Sequence, residues 1–123
     1  MKSVLIVDDS PTMRRMVVAS LSGLQNASFD QAGSGLEAIE RLALAPVHLM
    51  VLDLNMPDIH GLEVLQFVRH HPIHHILPII VLTTRGDDAS RAAALDAGAS
   101  IYLTKPFDPQ TLVGHVRELL ETG

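Results

Sequence analysis

The sequence contains no cysteine. This excludes disulfide bonds, thiolate metal sites and cysteine nucleophiles, and nothing in it points to an oxidising compartment. Long apolar runs are also missing. The apolar stretch at residues 4–7 is far too short for a signal peptide or a membrane span. We therefore expect a soluble, cytoplasmic protein that does not insert into a membrane.

The chain also lacks basic runs, heptad series, low-complexity tracts and internal repeats. Its formal net charge of −5 favours solubility and argues against direct nucleic-acid binding. What the chain does have is apolar content, with 47% hydrophobic residues among 123. That length and composition predict one domain, residues 1–123, with a proper core and no linker.

Five short apolar runs alternate with helix-forming segments along the chain. Predicted helices follow each run, and the first begins at Ser10 as N-cap and Pro11 as first helical residue. In that helix we expect Met13 and Met16 to face the sheet, and Arg14 to lie on the other side. The alternation predicts an α/β fold, a doubly wound parallel sheet with right-handed crossovers. The predicted strands cover residues 3–7, 28–32, 49–52, 78–82 and 100–103.

Polar residues stand where these strands end: Asp8-Asp9, Asp53, Thr83 and Lys105. Carboxyl ends of parallel strands meet at one sheet edge, where open α/β sheets place their ligands. Clustered carboxylates repel one another unless a cation lies between them, and oxygen ligands alone suit Mg²⁺. A lysine ammonium and a threonine hydroxyl can hold phosphate oxygens. Together these groups predict an aspartyl-phosphate site with Asp53 as the nucleophile.

At this point the chain resembles the response-regulator receiver domains of two-component signalling, over its whole length. The stretch from Val7 to Arg15 is most similar to single-domain, chemotaxis-type members. The resemblance implies a flavodoxin-like fold, with five helices around five strands in the order 2-1-3-4-5. The matching motifs are Asp8-Asp9, Asp53 ahead of Met56-Pro57, Thr83, and Lys105-Pro106.

The resemblance also implies a role for each site residue. Asp9 and Asp53 would bind Mg²⁺ directly, together with the backbone carbonyl of Asn55, and Asp8 would act largely through water. Mn²⁺ has similar ligand preferences. Lys105 and Thr83 would hold the phosphoryl oxygens. Movement of Thr83 towards the phosphate would let Tyr102 turn inward, reshaping the surface of the fourth helix, fifth strand and fifth helix.

The implied partners are a sensor histidine kinase upstream and a protein target downstream. That target would be a flagellar motor component, a phosphotransferase or another effector, reached by a monomer or a phosphorylation-dependent dimer. The domain would assist its own phosphorylation and dephosphorylation without being a conventional turnover enzyme. The chain departs from the family pattern at two positions. Thr84 replaces a smaller residue, which bears on access to the phosphoryl group. Arg85 introduces a basic residue, which bears on the lifetime of the phosphoryl group.

Several alternatives stay open. The chain could be the receiver of a longer, DNA-binding or enzymatic regulator, a phosphorelay intermediate, or a degenerate receiver that is not phosphorylated. A haloacid-dehalogenase-type phosphatase also uses an aspartyl nucleophile, but it needs an acid where this chain has Asn55. The cluster His70, His71, His74 and His75 suggests either a metal site or a solvated loop after a helix, and Pro72 interrupts its helical spacing.

Overall fold

A computed structural model describes residues 1–122 and shows five strands and five helices in strict alternation. The strands are β1 (Lys2–Val7), β2 (Ala27–Ala32), β3 (Leu49–Leu52), β4 (Ile79–Thr83) and β5 (Ile101–Thr104). The helices are α1 (Pro11–Leu21), α2 (Gly35–Leu44), α3 (Gly61–His70), α4 (Asp88–Asp96) and α5 (Pro109–Thr122).

All strand pairs are parallel, and the sheet order is β2-β1-β3-β4-β5. The predicted doubly wound, flavodoxin-like fold is therefore confirmed. The register places Val7 beside Leu52, and Thr83 beside Thr104. Residues that follow these positions consequently emerge at one edge of the sheet, at the carboxyl ends of the strands.

The sheet separates two apolar cores because alternate residues of each strand point to opposite faces. One core lies against α1 and α5 and includes Ile6, Val51 and Leu82. The other lies against α2, α3 and α4 and includes Val7, Leu52 and Val81. Strands β3 and β4 are buried at every residue. Burial on both faces explains why they read as unbroken apolar runs in the sequence.

Helix α1 begins as predicted, with the Ser10 side chain accepting a hydrogen bond from the Met13 N–H at 3.2 Å and Pro11 in the first turn. The expectation for Met16 is wrong, because 49% of this residue is exposed. Its position lies at the margin of the apolar stripe, and Val17 and Leu21 take the buried places. No helix within residues 1–122 is long and apolar enough to cross a membrane.

Candidate functional site

The buried polar residues of the described chain lie at the carboxyl-terminal edge of the sheet. Asp8 and Asp53 are each 4% exposed, and Thr83 is completely buried. Asp8 and Asp53 directly follow β1 and β3, and Thr83 is the last residue of β4. A hydrogen bond of 2.9 Å from the Asp53 N–H to the Val7 carbonyl keeps β1 and β3 paired up to this point. Burial of polar groups is costly unless they are paired or functional, so their concentration marks this edge as the candidate site.

Lys105 reaches the site from the end of β5. Its backbone N–H donates to the Thr83 carbonyl at 2.8 Å, which anchors the residue beside β4. Its ammonium lies 2.7 Å from Asp8 Oδ2 and 3.6 Å from Asp53 Oδ2. The lysine side chain is only 10% exposed. One buried cation therefore faces two buried carboxylates, and the cluster as a whole retains excess negative charge.

Asp53 is the least satisfied member of this group. Its Oδ1 atom is buried and accepts no hydrogen bond from the described residues. Burial raises the pKa of the Asp53 carboxyl; Lys105 opposes this rise, and the neighbouring Asp8 charge adds to it. The Asn55 N–H and the Thr83 hydroxyl lower the pKa more weakly. An oxygen without a partner, on a carboxyl whose ionisation is disfavoured, calls for a further cationic or electrophilic group.

The acidic residues fit a hard cation. Asp8, Asp9 and Asp53 each offer one carboxylate oxygen, and these oxygens lie within 4.8 Å of one another. Asp9 is exposed, so the group opens to solvent on one side. An all-oxygen donor set that keeps room for water suits Mg²⁺ or Mn²⁺. This is also the one such metal-capable group of three among residues 1–122.

The loop between β3 and α3 is held closely against Asp53. Gly61, at the start of α3, donates to the Leu54 carbonyl at 3.0 Å. A Cβ at Gly61 would lie 2.4 Å from the Asp53 carbonyl oxygen, so only glycine permits this approach. The Asp58 carboxylate accepts from the Gly35 N–H at 3.1 Å and the Leu36 N–H at 3.0 Å. These contacts fix the loop to the beginnings of both α2 and α3.

Tyr102 occupies a buried position in β5, with 5% exposure. Its hydroxyl donates to the carbonyl oxygen of Arg85, and the Arg91 guanidinium lies 5.8 Å from the centre of its ring. Thr83 Oγ1 in turn accepts from the Arg85 N–H at 3.4 Å. The inward tyrosine that the resemblance implied for the phosphorylated form is therefore the arrangement present in this structure.

Sequence reasoning missed the part played by two arginines. Arg14 was expected to face away from the sheet, but it is half-buried and donates to the Asp8 carbonyl at 2.6 Å and to Gln31 Oε1 at 3.0 Å. Arg85 donates through Nε to Asn55 Oδ1 at 2.7 Å. Helical periodicity assigns Cα positions to faces and does not show where a long side chain ends.

The histidine cluster does not assemble a three-ligand site within the described residues. His71 and His74 are neighbours, with ring centres 4.6 Å apart. His70 instead lies 2.7 Å from the carbonyl oxygen of Gln66, and His75 3.1 Å from that of Pro72. The pKa of His74 is lowered by burial and by His71. The arrangement matches a loop after a helix C-terminus.

Comparison with known proteins agrees with this geometry. A family model described as the response regulator receiver domain matches residues 4–117. The chain therefore belongs to the receiver domains of two-component response regulators. Among its relatives are a chemotaxis protein CheY homolog of Campylobacter jejuni and chemotaxis protein CheY1 of Helicobacter pylori. The first is 39% identical over 98% of this chain and 93% of the relative, and the second 40% identical over 98% of both.

Solved structures show the same likeness. A putative response regulator from Chloroflexus aurantiacus superposes with a TM-score of 0.91 at 37% identity, covering 98% of each chain. The chemotaxis response regulator CheY4 of Vibrio cholerae gives a TM-score of 0.87 at 32% identity, covering 97% of this chain and 98% of that one. The resemblance inferred from the sequence motifs is thus confirmed at the level of family and fold.

Proposed function

We propose that Asp53 is the phosphoryl acceptor of a two-component signalling pathway. The observation that carries this proposal is the buried Asp53 carboxylate, whose Oδ1 atom accepts no hydrogen bond from the described residues. Its other oxygen faces the Lys105 ammonium at 3.6 Å. A nucleophile needs one oxygen free to attack, and a group nearby that neutralises the charge arriving with the phosphoryl group.

In the proposed reaction, a carboxylate oxygen of Asp53 attacks the phosphorus atom of the donor. With a histidine kinase, the new P–O bond forms as the P–N bond of phosphohistidine breaks, and the electron pair returns to the imidazole. Hydrolysis reverses the modification when water attacks the acyl phosphate. The chain assists both steps chiefly by positioning and electrostatic stabilisation, which dominate phosphoryl transfer.

Lys105 and Thr83 are proposed to hold the phosphoryl oxygens. The Lys105 ammonium is paired with Asp8 at 2.7 Å, and it can share its three donors between that carboxylate and a phosphoryl oxygen. The Thr83 hydroxyl is completely buried at the adjoining strand end. Thr83 is the last residue of β4, and Lys105 directly follows β5 and is anchored to the Thr83 carbonyl, so little reorganisation is required when charge develops.

Receiver domains typically use Mg²⁺, and the acidic group here fits that ion. We propose that Asp9, Asp53 and the Asn55 backbone carbonyl bind it directly, with Asp8 acting largely through water. When bound, the ion would neutralise part of the negative charge shared by Asp53 and the transferring group.

The proposed output is a protein-binding surface formed by α4, β5 and α5, controlled through Thr83 and Tyr102. A sensor histidine kinase would act upstream, and a motor component, a phosphotransferase or another effector downstream. Chemotaxis is the favoured pathway because two relatives that match across nearly their whole length are chemotaxis proteins. We propose that residues 1–123 form one receiver domain, which acts in the cytoplasm as a monomer or as a phosphorylation-dependent dimer.

The decisive experiment is intact-mass measurement after incubation with acetyl phosphate or phosphoramidate, with Mg²⁺ or with EDTA. We expect one phosphoryl mass, dependent on Mg²⁺ and lost in Asp53→Asn. Asp30→Asn is the matched control, since Asp30 is an exposed acid that pairs with Arg41 on the surface. Beryllofluoride binding is measured in parallel in case the acyl phosphate is short-lived.

Absence of both the adduct and beryllofluoride binding would contradict the proposal and make the chain a degenerate receiver. A phosphoryl adduct that persists in Asp53→Asn would place the acceptor elsewhere. Steady turnover of ordinary phosphomonoesters would instead support the phosphatase alternative.

A receiver within a longer regulator is the second candidate. It is favoured by a relative of another kind, the transcriptional regulatory protein ResD of Bacillus subtilis. That protein is 38% identical over 95% of this chain, but the match spans only 47% of its length. The complete reading frame distinguishes the two candidates.

A further inference from the structure

The amino-terminal edge of the sheet, opposite the acceptor site, carries an exposed apolar surface. This basal surface is formed by residues 42–48, which end α2 and lead into β3, and residues 71–78, which lead from α3 into β4. We propose that the basal surface binds a short acidic amphipathic segment of a partner protein, whose apolar side chains pack beside Ile73. The proposal goes beyond the function proposed for Asp53 and does not depend on it.

The basal surface concentrates exposed aliphatic side chains. Leu44, Ile73 and Ile76 are 80%, 76% and 79% exposed. Among the large apolar residues that the structure describes, only Met1 at the chain terminus is more exposed. Leu44 and Ile73 border a recess of about 540 Å³, and Ile73 and Ile76 border another of about 210 Å³. Single exposed apolar residues are ordinary, but a contiguous group of this kind marks an interaction site.

The segment that presents the two isoleucines is already held in place. Leu77 is buried in the core, and its N–H donates to the His74 carbonyl at 3.0 Å. The Arg69 guanidinium donates to the His75 carbonyl at 3.2 Å. A further hydrogen bond joins the His74 side chain to the backbone of Leu42. Binding would consequently require little ordering of this segment, and such ordering is one of the main costs of association.

The charge of the basal surface indicates the charge of its partner. Residues 41–52 and 64–86 contain no acidic residue, although the chain has 14 aspartates and glutamates. None of the described residues that line the two recesses is acidic either. Those with polar or cationic side chains are Lys2, His48, His71 and His74. A partner with carboxylates beside its apolar residues therefore complements this surface, and a basic partner does not.

Two of these histidines have a defined tautomer when neutral. Nδ1 of His48 accepts from the Ser3 N–H at 2.9 Å, and Nδ1 of His71 accepts from the Ile73 N–H at 3.1 Å. Since Nδ1 is the acceptor in each ring, the proton lies on Nε2. Each ring therefore retains one N–H donor that a carboxylate can accept from.

These features favour a peptide over the alternative occupants. A two-fold dimer through this surface would place histidines against histidines. Attraction to an anionic membrane grows with each lysine or arginine at the surface, and among the described residues Lys2 alone lines the recesses. Recesses on either side of an exposed isoleucine instead suit an amphipathic helix, which places apolar residues at i, i+3 or i+4, and i+7 into a groove.

The proposal is tested with a synthetic peptide of about 15 residues that has leucine at i, i+3, i+4 and i+7 and glutamate at the flanking positions. The peptide is titrated into the full, isotope-labelled chain, and backbone amide resonances are followed by NMR. We expect saturable shifts at residues 42–48 and 71–78. A matched peptide with lysine in place of glutamate should bind at least about fivefold more weakly, as expected for loss of one charge-assisted hydrogen bond. Saturable shifts confined to other parts of the chain would overturn the proposal.

Substitutions at the two isoleucines test the location of the contact. Ile73→Ser and Ile76→Ser change exposed positions, so the fold should be retained. Each should weaken peptide binding by about tenfold or more, since one aliphatic side chain is no longer buried. Leu36→Ser is the matched control, because Leu36 is an exposed leucine at the start of α2, towards the acceptor edge. Wild-type affinity in Ile73→Ser, or an equal loss in Leu36→Ser, would refute the proposal.

Two other results would identify a different occupant and also refute the proposal. Without saturable peptide shifts, co-sedimentation with vesicles of phosphatidylserine and phosphatidylcholine that is lost in Ile73→Ser would indicate a membrane. Without such shifts, concentration-dependent association of the chain that is lost in Ile73→Ser would indicate a second copy.

This test is separate from that of the proposed function. Asp53→Asn should bind the peptide with wild-type affinity, because Asp53 lies at the other edge of the sheet. Peptide binding at residues 42–48 and 71–78 would therefore support the basal surface as a docking site even if no phosphoryl adduct forms. Formation of the adduct without peptide binding would leave the role of Asp53 intact and refute the docking site.

Discussion

Replacing Lys105 tests the electrostatics of the site most directly. Lys105→Met keeps a side chain of similar length but removes the one cation within residues 1–122 that faces both Asp8 and Asp53, at 2.7 and 3.6 Å. At an effective dielectric constant of ~20, the lost attractions amount to ~6 and ~5 kcal/mol before any compensation. Removal of the cost of burying the ammonium offsets part of this loss, as does uptake of a proton by one carboxylate. Breaking buried ion pairs costs about 3–5 kcal/mol, and we expect about 3 kcal/mol near pH 7.

The stability lost in Lys105→Met should depend on pH in a defined direction. Lys105 opposes the burial that raises the pKa of Asp53, so its removal raises that pKa further. A carboxyl whose pKa is higher in the folded than in the unfolded protein becomes destabilising as pH rises above its ordinary range. The difference in stability between wild type and Lys105→Met should therefore be largest at neutral pH and should shrink at low pH, as the Asp53 carboxyl becomes protonated.

Urea unfolding at neutral and low pH measures the loss of stability and its pH dependence. Repeating the measurement with and without Mg²⁺ tests the metal site. An ion that binds only the folded state stabilises it by about 2.7 kcal/mol at 100 times its Kd. Mg²⁺ should stabilise Lys105→Met more than wild type, because the competing ammonium is gone. The control is Lys2→Met, which changes the only other lysine in the sequence. Lys2 is the first residue of β1, at the end of that strand away from Asp8. A loss below about 0.5 kcal/mol, the usual range for surface substitutions, would refute the reasoning, as would an equal response to Mg²⁺.

Four further substitutions give independent tests by urea unfolding. Asp53→Asn should raise the free energy of unfolding by about 1 kcal/mol at pH 7, because burial penalises the charge; the gain should vanish at low pH, and a loss would contradict this. Gly61→Ala should destabilise by about 2 kcal/mol or more, since its Cβ would lie 2.4 Å from the Asp53 carbonyl oxygen. Gly114→Ala should instead stabilise α5 by about 0.5–1 kcal/mol, because an added Cβ would meet no described atom within 4 Å outside its chain neighbours and its own helix backbone. Ser10→Ala should cost about 1 kcal/mol through loss of the α1 cap, and an unchanged midpoint would argue against that bond.

Much of the fold could be predicted because its signals are local. Unbroken apolar runs indicated β3 and β4, whose residues are all buried. Ser10 and Pro11 marked the start of α1, where the Ser10 side chain caps the helix. Strand ends then predicted which polar residues would meet, because parallel strands deliver their carboxyl ends to one edge.

The remaining contacts of the site depend on side-chain conformations that residue spacing does not encode. Arg14 occupies an outward helical position but extends back to the Asp8 carbonyl. The hydrogen bond from Arg85 to Asn55 joins residues 30 positions apart on two different loops. Neither contact follows from hydrophobic periodicity, which reports only burial of apolar groups. The inward position of Tyr102 is likewise a choice between rotamers and cannot be read from strand propensity.

The salt bridge between Lys105 and Asp8 joins residues 97 positions apart, almost the two ends of the chain. Asp53 is contributed by the middle of the sequence, so no fragment of the sheet contains the whole charge cluster. A nascent or partly unfolded chain therefore lacks the ammonium that balances its carboxylates, and the acceptor site proposed for Asp53 would not be assembled. Phosphorylation at this edge would consequently occur only on molecules whose first and last strands are both folded into the sheet. Partly unfolded copies would not be phosphorylated, and no separate mechanism would be needed to exclude them from signalling.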